Sequence, residues 1–313
     1  MTRAFVFPGQ GSQAVGMGKD LADTFSVARE LFQEVDDALD QGLSGLMFEG
    51  PEDELTLTEN AQPALMAVSL AVMRVLSSEG GFELSGNASH AAGHSLGEYS
   101  ALAAVGVFSL ADTARLLKIR GRAMQQAVPV GEGAMAALMG ITPEDAIAIA
   151  SEAAGDGVCD FANDNAAGQV VVSGSKASVE RAIELAKEKG AKRALLLPVS
   201  APFHCALMAP AADVMAKALA EVTMNDPAVP VVANVTAAPV RDATEARQLL
   251  VEQVTGRVRW RECVLAMKDA GVTTLVEVGA GKVLSGLARR IDRDLSATSI
   301  GTPADVESFL ANN

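Results

Sequence analysis

Apolar and polar positions follow two different spacings along the chain, and these spacings predict where strands and helices lie. The run RAFVFP near the N-terminus predicts a buried strand that enters a glycine-rich turn. Apolar residues at helical spacing predict helices over residues 20–40 and 61–79, and a short apolar run further on predicts a second strand followed by a helix. The next helix is predicted from its start signal, because Ser109 and Asp112 form an S-x-x-D capping pattern before an apolar stripe.

The middle of the chain has a different order of elements. Residues 129–198 predict strand, helix, strand, strand, helix and strand, which is the ferredoxin-like order. The loop before this segment, VPVGEG, has the Gly and Pro content of a domain boundary. We therefore expect a small domain at residues 129–198, inserted into a larger domain made of residues 1–128 and 199–313.

Helices and strands alternate again after this segment. The pattern predicts helices near 206–222, up to about 256 and near 260–270, strands at VPVVANV and TLVEVG, and a last helix within GAGKVLSGLARRI. Strands that alternate with helices favour a largely parallel sheet covered on both faces. The predicted fold class is therefore α/β.

Composition and charge exclude several classes of protein. The chain has 313 residues, of which 49% are hydrophobic and 20% charged, as in a folded globular protein. Its formal net charge of −14 argues against a general nucleic-acid binder. No apolar run approaches the roughly 18 residues that span a membrane, and MTRAFVFPGQ lacks the long apolar region of a signal peptide. We expect a cytoplasmic protein without a nucleic-acid or membrane partner.

The segment Gly93-His94-Ser95-Leu96-Gly97 places a serine between two glycines at a predicted strand-to-helix turn. A turn of this kind projects a nucleophilic hydroxyl from the edge of a sheet. The backbone N–H of Leu96 would then point at an oxyanion, helped by the dipole of the following helix. The alternative is a serine that only caps the helix.

A nucleophilic serine needs a base, and the chain has three histidines. His94 is the neighbour of Ser95 and its side chain diverges from it, while His90 lies at the start of the predicted strand. His204 stands at a second strand-to-helix junction, where parallel sheets form active sites and a helix N-terminus keeps imidazole neutral. We therefore prefer His204 as the base. No carboxylate between residues 95 and 204 occupies a strand-end loop of the main sheet, so we expect a Ser–His dyad rather than a triad.

Arg120 lies on the apolar stripe of its predicted helix, with apolar residues three and four positions away on both sides: Leu116, Leu117, Ala123 and Met124. A buried cation is costly unless it is paired. Two interpretations follow. Arg120 forms a buried ion pair with a protein carboxylate, or its guanidinium is a bidentate site for the carboxylate of a substrate.

The turn after the first strand imitates a dinucleotide-binding fingerprint, because Gly9, Gly11 and Ala14 have the spacing of that motif. The pattern alone is weak, and Pro8 at the end of the strand is unusual for it. Alternatively, the glycines let the backbone N–H of Gln10 approach Ser95 as a second oxyanion donor.

Eight segments of this sequence together resemble the malonyl-CoA:acyl carrier protein transacylases, the acyltransferase family of fatty-acid and polyketide synthesis. The resemblance covers nearly the whole chain and is jointly specific. It implies a hydrolase-like, largely parallel sheet domain with an inserted ferredoxin-like domain. The segments are VFPGQGSQAVGMG (6–18), TENAQPAL (58–65), GHSLGEYSAL (93–102), IRGRAMQ (119–125), NDNAAGQVVVSG (163–174), SAPFHCALM (200–208), VEQVTGRVRW (251–260) and EVGAGKVLSGL (277–287).

The resemblance also implies roles for individual residues. Ser95 would be the nucleophile, His204 the base and Arg120 the group that grips a malonyl carboxylate. The N–H groups of Gln10 and Leu96 would form the oxyanion hole.

Two further residues enter only through the resemblance. The backbone carbonyl of Gln253 would hold the His204 ring in place of an acid. Phe203 resembles the bulky residue of malonyl-selective members of the family.

The implied activity is transfer of malonyl from malonyl-CoA to the phosphopantetheine thiol of acyl carrier protein, by a ping-pong route through a malonyl-serine. It needs no metal or redox cofactor, and we expect a monomer. The pathway, fatty-acid or polyketide synthesis, stays open. A serine thioesterase or esterase is the main alternative, and it would need a triad acid and no inward arginine. A non-catalytic binding subunit would not explain why Ser95, His204 and Arg120 occur together.

An acidic enzyme that accepts an acidic carrier protein needs a local basic surface. The candidates are Arg289, Arg290 and Arg293 in the last predicted helix, and Lys192 and Arg193 in the insert. Ordinary solvated charge is the alternative for each of them.

Overall fold

Two sheets organise the chain in the computed structural model, which describes residues 2–312. The strands of the described residues are β1 (Arg3–Phe7), β2 (His90–Gly93), β3 (Gly133–Met139), β4 (Cys159–Ala166), β5 (Gln169–Ser175), β6 (Arg193–Leu196), β7 (Val231–Val232), β8 (Pro239–Val240), β9 (Thr274–Val278) and β10 (Ser296–Ile300).

Helices connect these strands and cover the sheets. Within residues 2–312 they are α1 (Lys19–Thr24), α2 (Ser26–Leu39), α3 (Leu43–Glu49), α4 (Glu52–Thr56), α5 (Thr58–Gly80), α6 (Leu84–Asn87), α7 (Leu96–Ala104), α8 (Leu110–Ala127), α9 (Pro143–Ala154), α10 (Lys176–Glu188), α11 (Ala209–Ala220), α12 (Ala243–Thr255), α13 (Trp260–Asp269), α14 (Val283–Ile291) and α15 (Pro303–Ala311), with a 3₁₀ turn at Ala206–Met208 before α11.

The large sheet has the strand order β10-β9-β1-β2-β7-β8. Its pairs are parallel except for β7 with β8, so the prediction of a largely parallel α/β sheet is confirmed. Side chains of β1 alternate between the two faces. Phe5 and Phe7 join the core on one face, and Ala4 and Val6 pack with Trp260 on the other. Both faces are therefore covered by helices.

The small sheet is antiparallel, with the order β4-β5-β3-β6. Its strands and the helices α9 and α10 follow the predicted strand–helix–strand–strand–helix–strand order, which confirms the ferredoxin-like arrangement. The boundaries at residues 129 and 198 stay a prediction, because the limits of strands do not define those of a domain.

Strand β4 attaches the small sheet to the large one. The backbone N–H of Val258 donates to the carbonyl of Ala162, and the N–H of Asp164 donates to the carbonyl of Val258. The Asp164 carboxylate, nearly fully buried, also pairs with Arg261 at 2.8 Å. These contacts fix β4 beside the end of α12 and the start of α13.

Helix α5 is long and apolar enough, by length and composition, to cross a membrane, yet 78% of its most apolar stretch is buried inside the protein. It packs against α2, α7 and α8 in the main core. A core helix of this kind passes the same test of length and apolarity, so α5 is a central packing element.

Some predicted limits differ from the observed ones. The predicted helix over 20–40 is two helices, because Phe25 has an extended backbone with φ −119° and ψ 120°. The predicted strand VPVVANV pairs only at Val231–Val232, since Ala233 turns away and bonds to Ala238. The pattern gave no indication of β10, an edge strand of the large sheet, or of α15, which packs against α5 and β10.

We expect Gly97→Ala to lower the free energy of unfolding by at least about 2 kcal/mol, because the new Cβ would lie 2.2 Å from the carbonyl oxygen of Phe7. Gly45→Ala is the matched control: Gly45 is exposed within α3, and a Cβ there meets nothing within 4 Å. This control should raise stability by up to about 1 kcal/mol. Urea-induced unfolding of both variants measures the difference, and equal stabilities would contradict the close approach of β1 to α7.

Candidate active site

Ser95 occupies a strained turn between β2 and α7. Its φ of 53° and ψ of −111° lie outside the regions that residues with a side chain normally adopt. The flanking glycines make this turn possible, since a Cβ on Gly93 would lie 1.9 Å from the carbonyl carbon of Gly97. The turn directs the hydroxyl into a pocket at the carboxyl ends of the parallel strands.

The structure brings His204 to Ser95, with its Nε2 2.7 Å from the serine Oγ. Its Nδ1 lies 2.9 Å from the carbonyl oxygen of Gln253 and 3.1 Å from that of Gly256. Carbonyl oxygens only accept hydrogen bonds, so Nδ1 carries the proton and Nε2 is free to accept one from Ser95. Within the described residues no carboxylate forms a hydrogen bond or an ion pair with this ring.

Burial and a nearby cation keep His204 neutral. The side chain is 3% exposed, and its pKa is lowered to about 3, first by burial and then by the positive charge of Arg120. A neutral imidazole is the form that can take a proton from the serine.

Arg120 lines the same pocket and is 1% exposed. Its guanidinium donates to Gln62 Oε1 at 2.8 Å, to Gln253 Oε1 at 2.8 Å and to Ser95 Oγ at 3.2 Å. It also lies over the Tyr99 ring, 5.6 Å from the centroid. Among the described residues no carboxylate lies within ion-pair distance of it, and its Nε has no hydrogen-bond partner. Of the two interpretations of this arginine, the ion pair with a protein carboxylate is therefore wrong.

The pocket has a volume of about 510 Å³ and includes Gln10, Leu96 and Phe203 in its lining. The backbone N–H groups of Gln10 and Leu96 donate to no other group within residues 2–312. They are therefore available to a ligand near Ser95. The side chain of Phe203, 8% exposed, reduces the space next to His204.

The glycine turn after β1 approaches the serine turn closely, because a Cβ on Gly9 would lie 2.7 Å from the carbonyl oxygen of His94. The next helix, α1, begins only at Lys19. A dinucleotide fingerprint needs a helix that begins at the glycine turn. Gly9 therefore allows close contact between the backbones of the two turns and is not part of a dinucleotide site. In the part of the chain that the structure describes, no group of three His, Cys, Asp or Glu residues could hold a metal ion.

Sequence reasoning missed several polar residues of this site. Gln62 binds Arg120, Asn165 binds the ring of His94 at 2.8 Å, and Asn234 and Glu98 lie behind the serine turn. Glu98 gave a usable signal, as a carboxylate in the apolar first turns of α7. The amides gave none, because their contacts span long distances along the chain.

The basic candidates lie away from the pocket. Arg289, Arg290, Lys192 and Arg193 are exposed, and so is Arg293. Arg290 donates to Oε1 of Gln169 at 2.8 Å, and Gln169 is the first residue of β5, directly after the turn between β4 and β5. Lys192 packs against Gly140, whose N–H donates to Gly168 on the same turn. The end of α14 and the edge of the small sheet thus flank one turn.

Comparison with known proteins identifies the family to which this chain is similar. The model of the acyl transferase domain family matches residues 4–301. A malonyl CoA-acyl carrier protein transacylase from Bacillus subtilis is 45% identical over 97% of this chain and 95% of its own length. The crystal structure of an acyl-carrier-protein S-malonyltransferase from Bartonella henselae is 57% identical, with a TM-score of 0.97 over 100% of this chain and 99% of that one.

A further solved structure, a type II polyketide-synthase acyl carrier protein in complex with its malonyl-transacylase, contains a chain that is 44% identical to this one. The TM-score is 0.96, and all of both chains is covered. With the site geometry and a family match over nearly its whole length, this chain belongs to the acyl transferase domain family and is an acyltransferase.

Proposed function

We propose that this enzyme transfers malonyl from malonyl-CoA to the phosphopantetheine thiol of acyl carrier protein, through a malonyl ester of Ser95. The observation that carries the proposal is the 3.2 Å contact between the Arg120 guanidinium and the nucleophile. A buried cation without a carboxylate partner, so close to the serine, favours a short acyl group with an anionic end. The names of the relatives support the same activity.

The first half-reaction loads the serine. The malonyl carboxylate binds Arg120, and the Ser95 hydroxyl gives its proton to Nε2 of His204 as its oxygen attacks the thioester carbonyl. The negative charge that develops on the thioester carbonyl oxygen is stabilised by the N–H groups of Gln10 and Leu96. The C–S bond then breaks, and CoA leaves as a thiol with the proton from His204.

The second half-reaction reverses these steps with a different thiol. The phosphopantetheine thiol gives its proton to His204 and attacks the serine ester, and the C–O bond to Ser95 breaks. The serine oxygen takes the proton back from His204. These steps use the side chains of Ser95, His204 and Arg120 and the N–H groups of Gln10 and Leu96, so the proposal includes no metal or redox cofactor.

A thioesterase is disfavoured by two contacts. The His204 ring is held by the carbonyls of Gln253 and Gly256 where a hydrolase triad has an acid. A thioesterase for neutral acyl groups also has no use for the buried cation of Arg120. The bulk of Phe203 favours malonyl over branched analogues.

Carrier protein, pathway and location complete the proposal. The partner chemistry follows from the complex with an acyl carrier protein in one related structure. We place the carrier on the exposed basic residues around the β4–β5 turn: Arg289, Arg290, Arg293, Lys192 and Arg193. We further propose that the enzyme is a cytoplasmic monomer that supplies fatty-acid synthesis.

Incubation of the enzyme with malonyl-CoA should give a malonyl ester on Ser95, detected by mass spectrometry of the peptide that contains this residue. Ser95→Ala should form no ester, because the nucleophilic oxygen is absent. Addition of phosphopantetheinylated carrier protein should discharge the ester onto the carrier thiol. Release of free malonate at the same rate without a carrier would instead show a thioesterase.

Arg120→Ala should lower kcat/KM for malonyl-CoA by roughly 10²–10³-fold, since it removes a buried charge partner of the substrate carboxylate. Activity with acetyl-CoA, which has no carboxylate, should fall much less. Arg122→Ala is the matched control on the same helix, because Arg122 is exposed and pairs with Glu59 at 2.8 Å. An unchanged preference between the two substrates in Arg120→Ala would refute the carboxylate site.

Activity should persist at acidic pH, because the pKa of His204 is lowered to about 3 in the folded enzyme. The profile of kcat/KM against pH should show no loss at the ordinary histidine pKa of about 6.5. Below that value the unfolded chain binds a proton at His204 that the folded chain does not, so this residue lowers stability as pH falls from about 6.5 to about 3. An inflection of kcat/KM near 6.5, in enzyme shown to be folded, would contradict the neutral buried base.

A further inference from the structure

Glu98 is a buried carboxylate that the proposed reaction does not use. It lies in the first turn of α7, three residues after Ser95, and is 2% exposed. Within the described residues it forms no ion pair with Lys, Arg or His. Its Oε2 instead accepts two hydrogen bonds, from the backbone N–H of Asn234 at 3.0 Å and from Nε2 of Gln253 at 2.9 Å.

The first of these donors holds the nucleophile. Asn234 is fully buried beyond the end of β7, and its Oδ1 accepts the backbone N–H of Ser95 at 2.7 Å. Its Nδ2 donates to the carbonyl of Gly93 at 2.7 Å. The amide therefore bridges both sides of the strained turn, and the hydrogen bond from its backbone to Glu98 fixes where that amide lies.

The second donor holds the base and the cation. Nε2 of Gln253 also donates to the carbonyl of Ser95 at 2.9 Å, and its Oε1 accepts from Arg120 at 2.8 Å. The backbone carbonyl of the same residue accepts from His204 Nδ1 at 2.9 Å. One oxygen of Glu98 thus binds the two residues through which Ser95, His204 and Arg120 are held.

We propose that Glu98 is a positioning residue for the acyl transfer: it sets the relative placement of nucleophile and base through Asn234 and Gln253, without contact with the substrate. The proposal rests on the proposed function, since it assumes that Ser95 and His204 react. It gives this acyltransferase a carboxylate that supports the base through an intervening glutamine, where a hydrolase triad has direct contact between acid and histidine.

The role depends on an oxygen acceptor rather than on a full negative charge. Burial raises the pKa of Glu98 to about 7, while Gln253, Asn234 and the charge of Arg120 oppose the increase. The other titratable groups that face it are Tyr99 on its own helix and Cys263 on α13. A carboxylic acid protonated on Oε1 still accepts both bonds at Oε2, and so does a glutamine side-chain oxygen.

Two substitutions of Glu98 distinguish the loss of its oxygen acceptor from the loss of its negative charge. Glu98→Met keeps the approximate volume and leaves two buried donors unpaired, so the reactive geometry should be lost. Glu98→Gln keeps an acceptor and should retain the geometry. The matched control is Glu277→Met: Glu277 is also fully buried and also accepts two N–H groups, from Leu284 and Ser285 at the start of α14.

The test measures the rate at which a fluorophosphonate labels Ser95, with kcat and KM for malonyl-CoA and with urea unfolding of each variant. We expect Glu98→Met to label roughly 10–100-fold more slowly per folded molecule, with a matching fall in kcat, and Glu98→Gln to stay within about threefold of the parent. Glu277→Met should lose stability and label at the parent rate.

Equal labelling by folded Glu98→Met and the parent would overturn the positioning role, and so would equal losses in Glu98→Met and Glu277→Met. If Glu98→Met does not fold, Glu98→Asp replaces it. Aspartate is one methylene shorter and cannot hold both donors in place, so it should label more slowly than Glu98→Gln, and parity between them would overturn the proposal. Failure of the parent to label at Ser95 would instead refute the proposed function.

Discussion

Arg120 carries a positive charge into the protein interior, with its side chain 1% exposed, and none of the described carboxylates lies within ion-pair distance of it. Its hydrogen bonds go only to neutral oxygens, those of Gln62, Gln253 and Ser95, while the Tyr99 ring and the more distant Glu98 carboxylate also stabilise the charge. Neutral acceptors stabilise a buried cation less well than a carboxylate does. The charge of Arg120 thus lacks an anionic partner within ion-pair distance, which an acyl group with a carboxylate can supply. The same charge helps to keep His204 unprotonated. Substrate choice and base chemistry depend on one cation.

Close backbone contact is the second requirement of this site. Gly9 and Gly97 allow the turn after β1 and the turn after β2 to meet at distances that a Cβ would forbid, and Gly93 lets the second turn close on itself. The approach brings the Gln10 and Leu96 N–H groups to one pocket. It also holds Ser95 at a positive φ, which persists because its N–H and carbonyl are bound by Asn234 and Gln253.

The sequence predicted the parts of this molecule that local physics determines. Periodicity located the principal strands and helices, and an arginine on an apolar stripe indicated a buried cation without deciding its role. The edge strand β10 was not predicted, because tertiary pairing forms it where no local pattern indicates a strand. Strand β7 was predicted, but longer than the two residues that pair. The bonds of Asn234 to Ser95 and Gly93 join positions about 140 residues apart, and no spacing rule indicates such a contact. Gln253 was indicated only by the family resemblance, for the same reason.

The attachment of β4 to residues 258–261 has a consequence for any exchange of domains between members of the family. The hydrogen bonds of Val258 and the ion pair of Arg261 lie a few residues after the Gln253 and Gly256 carbonyls that hold His204. A chimera that received its ferredoxin-like insert from a relative would need the matching 256–261 segment from the same parent. The insert and the 256–261 segment therefore act together to position His204, although they lie in different domains. Recombination at the ends of the insert would separate these two parts.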